Sequence, residues 1–182
     1  ILNVCFNTSL LKYGGDTAVG AMTILGSVMQ FTMLPLQGLS QGAQPIVSFN
    51  YGANNIKRVK KAFRLLLLCS LSFTVIMWTV CMLFPQLFIG IFTSDAQLAE
   101  YTKWAIHIYM AATLIFGIQI ACQQTFIALG NAKVSVFLAL LRKVILLIPL
   151  IYILPNFFTD KTMAVFLAEP VADVIAVTTT AV

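Results

Sequence analysis

From Thr17 to Ile56 the chain runs forty residues without an Asp, Glu, Lys or Arg, then enters Lys57-Arg58-Val59-Lys60-Lys61-Ala62-Phe63-Arg64. As one helix at ~1.5 Å per residue, that stretch would reach about 60 Å, roughly twice the hydrocarbon core of a bilayer. It is also not uniformly apolar. Leu34-Pro35, Gly38-Leu39-Ser40-Gln41-Gly42 and Gln44-Pro45 interrupt it. Helix-breaking residues and amides inside a long apolar segment are the pattern expected of a membrane helix that lines a hydrated cavity.

The rest of the sequence agrees with a membrane setting. Of 182 residues, 60% are hydrophobic and only 9% are charged. That charged fraction is well below the roughly 25% of soluble domains, so the expected class is an all-α, polytopic membrane bundle. The net charge of +5 resides largely in short stretches between apolar runs. It therefore reads as a topological signal and not as a nucleic-acid surface. Cys5, Cys69, Cys81 and Cys122 all lie in apolar runs without a CxxC pair, and read as small hydrophobes. No metal-spaced His/Cys cluster, nucleophile elbow or phosphate loop is present, so no catalytic residue, metal or cofactor is expected. The chain opens at Ile1 and ends at Val182 inside an apolar run, which reads as part of a longer protein.

Six apolar segments are expected. Ile1–Leu11 reads as the end of a helix, closed by a turn at Tyr13-Gly14-Gly15-Asp16. Thr17–Tyr51, Leu65–Phe84 (its helix starting near Ile56 and ended by Pro85), Trp104–Leu129, Ala132–Leu154 and Thr162–Val182 follow. Lys57, Arg58, Lys60, Lys61, Arg64 and Lys133 fall on one side of this array. Lys12, Lys103 and Lys161 fall on the other, diluted by Asp16, Asp95, Glu100 and Asp160. The positive-inside rule puts the basic stretch 52–64 in the cytoplasm.

Interior polar residues supply the candidate site. At ~100° per residue, Thr23, Gln30, Gln37, Gln41, Gln44 and Ser48 share an arc of roughly 60°. Such a stripe is either interhelical glue or the wall of a substrate pathway. Gln119 and Gln123, at i and i+4, form a second amide face, with Gln124 beside it. Pro35, Pro45 and Pro149 are expected kinks. Gly38 and Gly42 form a small-xxx-small pair that would admit a neighbouring backbone. Arg142 lies about 15 Å into the fifth segment and Asp173 about 18 Å into the sixth from the opposite end. These depths nearly coincide, so Arg142 or Lys143 is expected to balance Asp173, and Glu169 one turn before it. Snorkelling to the interfaces is the alternative, and Pro170 could split the last helix.

The run Gln37-Gly38-Leu39-Ser40-Gln41-Gly42-Ala43-Gln44-Pro45-Ile46-Val47-Ser48-Phe49-Asn50-Tyr51-Gly52-Ala53-Asn54-Asn55, with its basic sequel, resembles the MATE (multidrug and toxic compound extrusion) family. Two other stretches resemble bacterial members: Gln124-Thr125-Phe126-Ile127-Ala128-Leu129-Gly130-Asn131-Ala132-Lys133 and Ala168-Glu169-Pro170-Val171-Ala172-Asp173. The resemblance implies a six-helix lobe of a two-lobe, twelve-helix transporter. Residues 1–182 would be the C-terminal lobe, from the end of helix seven into helix twelve, with the N-terminal lobe outside the sequence. It further implies a multi-pass protein of the bacterial inner membrane. Its partners would be the lipid bilayer, the missing lobe and a small organic cation or amphipathic substrate, exported against inward H+ or Na+. A lipid-linked oligosaccharide flippase of the same superfamily is a second reading, and a non-transporting membrane scaffold a third. Ile1–Leu11 and the middle of Trp104–Leu129 lack the acid that some family branches use for coupling, so the coupling ion is left open.

Overall fold

The computed structural model describes residues 2–181 and is helical almost throughout. In order, the elements are α1 (Leu2–Gly52), α2 (Ile56–Leu83), α3 (Pro85–Phe92), α4 (Ala96–Tyr109), α5 (Phe116–Ala128), α6 (Ala132–Leu140), α7 (Ile148–Ile153) and α8 (Lys161–Ala181). A 3₁₀ segment, Ala111–Ile115, joins α4 to α5, and a π-helical segment, Leu141–Leu147, joins α6 to α7. Five helical stretches are long and apolar enough to cross a membrane: Leu2–Gly52, Ile56–Leu83, Ala96–Ala128, Lys133–Asn156 and Lys161–Thr180.

The first of these folds back on itself. Gly15 alone in α1 leaves helical dihedrals, with φ 66° and ψ −163°. That region is open essentially to glycine only. Asn3 and Asn7 line one cavity with Thr23 and Gln30, so arms 2–14 and 16–52 run antiparallel about Gly15. The expected turn is therefore a one-residue reversal. The neighbouring Gly14 is needed for space: a Cβ there would lie 2.6 Å from Ala18 Cβ and 2.8 Å from Thr162 Cγ2.

The prolines and glycines take different places in these helices. Pro35 and Pro45 sit inside α1 without any departure from helical dihedrals. The departure from helical dihedrals is at Gly15, within the turn expected at Tyr13–Asp16; a proline removes one donor and bends a helix with its own φ still helical. Pro149 lies at the start of α7, directly after the π-helical segment, where its missing donor is tolerated. Pro170 is buried within a continuous α8 and does not split it. A Cβ added to Gly38 or Gly42 would meet nothing within 4 Å, whereas a Cβ on Gly117 would meet the Ser70 carbonyl carbon and oxygen, each at 2.8 Å. The close helix contact is thus α5 on α2. Pro85 ends α2 as expected but also opens α3 as its first residue, and the span expected at Trp104–Leu129 begins at Ala96, capped by Asp95 Oδ1 accepting from Gln97 N, 3.0 Å.

The main core gathers Phe6, Leu10, Leu25, Ile106, Ile151 and Phe166, all buried, from α1, α4, α7 and α8. Burial is one-sided elsewhere: Phe31, Leu34, Ile46 and Phe49 on α1 and Leu65, Leu68 and Ile76 on α2 are exposed. Outward-facing apolar side chains are what lipid contact requires.

Candidate functional site

The distal half of α1 and helices α5 and α8 enclose a cavity of about 490 Å³, with Gln37, Gln41, Gln119, Gln123, Lys143 and Glu169 in its wall. An apolar part of the same wall comes from Met29, Met33 and Phe116. Each polar residue reaches it by helix periodicity. Gln37 and Gln41 are i, i+4 on α1, and Gln119 and Gln123 are i, i+4 on α5.

The amide stripe is divided between two tasks. Gln37 and Gln41 are exposed to the cavity. Gln44 is half-buried and accepts from Gln124 Nε2 through its Oε1 at 2.9 Å, tying α1 to α5. Gln123 Nε2 donates to the Ser135 carbonyl at 3.3 Å. Gln30 lies in a separate cavity of about 370 Å³, shared with Asn3, Asn7 and Thr23. Gly26 and Tyr109 border both cavities. Thr23 and Ser48 spend their hydroxyls on backbone carbonyls of α1 itself.

One side of the cavity is a charge cluster. Arg142 Nε donates to Asp173 Oδ1, Arg142 Nη2 approaches Glu169 Oε1 at 3.5 Å, and Lys143 Nζ lies 3.0 Å from that same oxygen. The carboxylates are deepest, with side chains 4% (Glu169) and 3% (Asp173) exposed, against 11% for Arg142 and 40% for Lys143. The guanidinium also lies over the Phe116 ring, 4.2 Å from its centroid. Local backbone explains how two adjacent cations both serve this cluster. In an α-helix neighbours diverge by ~100°. The wider i→i+5 turn of Leu141–Leu147 reduces that divergence, and π-helical turns of this kind recur at functional sites. Opposite, Thr74 Oγ1 donates to the Leu114 carbonyl at 3.2 Å, satisfying an acceptor of the 3₁₀ segment that precedes Phe116.

The structure thus brings together Gln37, Gln41, Gln119, Gln123, Arg142 and Glu169, with Asp173 behind Arg142. It leaves Gln30 and Gln44 outside that cavity, Gln44 as interhelical glue. Sequence reasoning did not single out Ser40, Tyr109 or Phe116 as cavity residues. Ser40, three positions from Gln37, falls beside the amide stripe and was findable by the same geometry. Tyr109 and Phe116, seven apart, share a face too, but aromatic residues are too common in this chain to stand out.

The sequence profile of the MatE family matches residues 1–153. The multidrug export protein MepA of Staphylococcus aureus (strain N315) is 27% identical over 163 residues, covering 87% of this chain and 35% of MepA. The solved structure of the MATE multidrug transporter DinF-BH, a ligand complex, is 34% identical, with a TM-score of 0.80 over 96% of this chain and 39% of that one. Structures described as outward-facing and inward-facing conformations of a multidrug resistance MATE family transporter share the fold, with TM-scores of 0.90 and 0.89 at 15% and 16% identity. They are covered to 40% and 41% of their length. The chain therefore spans between a third and two fifths of the proteins it matches. With its profile match over most of the sequence, its all-helical lobe and its apolar spans, the chain belongs to the MATE family of membrane transporters.

Proposed function

We propose that this chain forms the C-terminal lobe of a two-lobe secondary active exporter of amphipathic organic compounds. The observation that carries this reading is the 490 Å³ cavity, whose polar wall lies between membrane-spanning helices. Lipid offers no partner for Gln37 or Gln41, so such a wall is stable only against water, ligand or a further protein surface. The N-terminal lobe, beyond this sequence, supplies the opposite wall.

Alternating access follows from rocking of the two lobes about the cavity. Near-equal similarity to an outward-facing and an inward-facing transporter supports a lobe that keeps its internal packing while its relation to its partner changes. The protein lies in the bacterial inner membrane with basic residues 57–64 on the cytoplasmic side. Export is driven by inward H+ or Na+. The other four acids, Asp16, Asp95, Glu100 and Asp160, lie at turns or helix ends, and the two interior ones, Glu169 and Asp173, are held by Arg142 and Lys143. The coupling carboxylate is accordingly assigned to the other lobe. The test is transport by the full-length protein in proteoliposomes. Dye movement under an imposed pH or Na+ gradient, abolished by collapsing that gradient, is expected. Movement independent of both gradients, or none, would overturn the assignment.

A further inference from the structure

Of the cationic or amphipathic substrates that the family resemblance implies, a cation does not match the electrostatics of this lobe's cavity. The wall contains a single acid among the described residues, Glu169, and that acid faces both Arg142 Nη2 and Lys143 Nζ through one oxygen. The cluster is neutral overall, two cations against two carboxylates, but it is layered. The carboxylates are nearly fully buried, Arg142 is partly covered, and Lys143 is the most exposed of the four. Arg142 and Lys143 both line the cavity, whereas of the two carboxylates only Glu169 does and Asp173 lies behind Arg142. At low effective dielectric that difference in placement leaves a positive potential on the cavity face.

Two buried acceptors mark the same wall as a ligand site. Among the described residues, Gln119 Oε1 and Ser40 Oγ have no hydrogen-bond partner, and both residues are only 2% exposed and border the cavity. A buried amide oxygen left unpaired is costly, so a ligand or water that donates to it is favoured.

We propose that this lobe receives the anionic or neutral polar end of an amphipathic ligand. Lys143 is the docking charge, Gln119 and Ser40 are acceptors for an adjacent hydroxyl or amide donor, and Met29, Met33 and Phe116 contact the apolar body. Any carboxylate that meets a cationic ligand must then come from the other lobe. This inference rests on the exporter reading and narrows its substrate class.

A matched pair of xanthene dyes tests it: fluorescein, anionic at neutral pH, and rhodamine 6G, a permanent cation. Binding to the purified full-length protein is read by fluorescence anisotropy, and transport of each dye by proteoliposomes. Lys143→Gln is expected to weaken fluorescein at least fivefold and leave rhodamine 6G unchanged or tighter, since it retains Arg142 between both carboxylates. Gln41→Trp, at an exposed position in the wall, is expected to weaken fluorescein by obstructing the cavity. If Lys143→Gln does not fold, the unaltered protein still decides: added NaCl should weaken fluorescein and not rhodamine 6G. Fluorescein binding indifferent to both Lys143→Gln and salt overturns the proposal, as does fluorescein binding indifferent to Gln41→Trp. Rhodamine 6G binding that is lost in Glu169→Gln and kept in Lys143→Gln also overturns it. Rhodamine 6G transport in those cases leaves the exporter reading standing. Neither dye binding nor moving overturns both.

Discussion

Asp173 and Arg142 form a largely buried ion pair whose partners are not replaceable one at a time. Both sit between apolar helices; removing Arg142 takes away the cation paired with Asp173, and removing Asp173 leaves Arg142 the longer 3.5 Å contact with Glu169 in a poorly solvated place. Asp173→Ala is expected to destabilise the protein by about 3 kcal/mol, read as a fall in Tm of the purified protein. The double variant Arg142→Met/Asp173→Leu should recover most of that loss, because two packed apolar side chains carry no desolvation penalty. A single and a double variant of equal Tm would mean that the pair is not coupled. The Gln44–Gln124 bond is smaller in scale. Gln44→Leu removes one neutral hydrogen bond between half-buried amides and should cost about 1 kcal/mol in the same measurement.

Two glycines, Gly15 and Gly117, position elements in different ways. Gly15 permits the reversal that folds arm 2–14 back along arm 16–52, and its φ of 66° with ψ of −163° is closed to other residues. Gly15→Ala should therefore cost about 1–3 kcal/mol in strain alone. Gly117 lets α5 reach the backbone of α2 at Ser70. Gly117→Ala inserts a Cβ 2.8 Å from backbone atoms that cannot rotate away, and should cost about 1–3 kcal/mol. Gly38→Ala, facing open space, is the matched control and should not lower Tm. Equal effects at Gly117 and Gly38 would refute this assignment of the helix contact. Arg142 of the π segment Leu141–Leu147 lies over the ring of Phe116, the residue that follows the 3₁₀ segment Ala111–Ile115. Neither segment was legible in the sequence. Their residues are ordinary helix formers, and the bonding pattern is set by which side chains must meet across the bundle.

For the whole molecule, the exporter reading makes one wall of the cavity wet. In a cysteine-free background, Gln37→Cys and Gln41→Cys should react with membrane-impermeant thiol reagents, while Gln44→Cys should react several-fold more slowly. Uniform protection at all three would favour a packed scaffold. The sequence by itself determined that the chain is a polytopic helical bundle and where its long apolar segments lie, and it raised the pairing of Arg142 with Asp173 as one of two alternatives. Those conclusions need only hydropathy, helix rise and the cost of charge in lipid, which act along the chain. Tertiary structure decided which amides line the cavity and which act as glue, because residues within one 60° arc of α1 face different neighbours along its length. It also decided that the turn expected at 13–16 reverses the chain at Gly15 alone, and that Arg142 and Lys143 line the cavity with Glu169 while Asp173 lies behind Arg142. Those depend on the widened turn at Leu141–Leu147 and on what α5 and α8 place opposite it, and neither is a local property of the sequence.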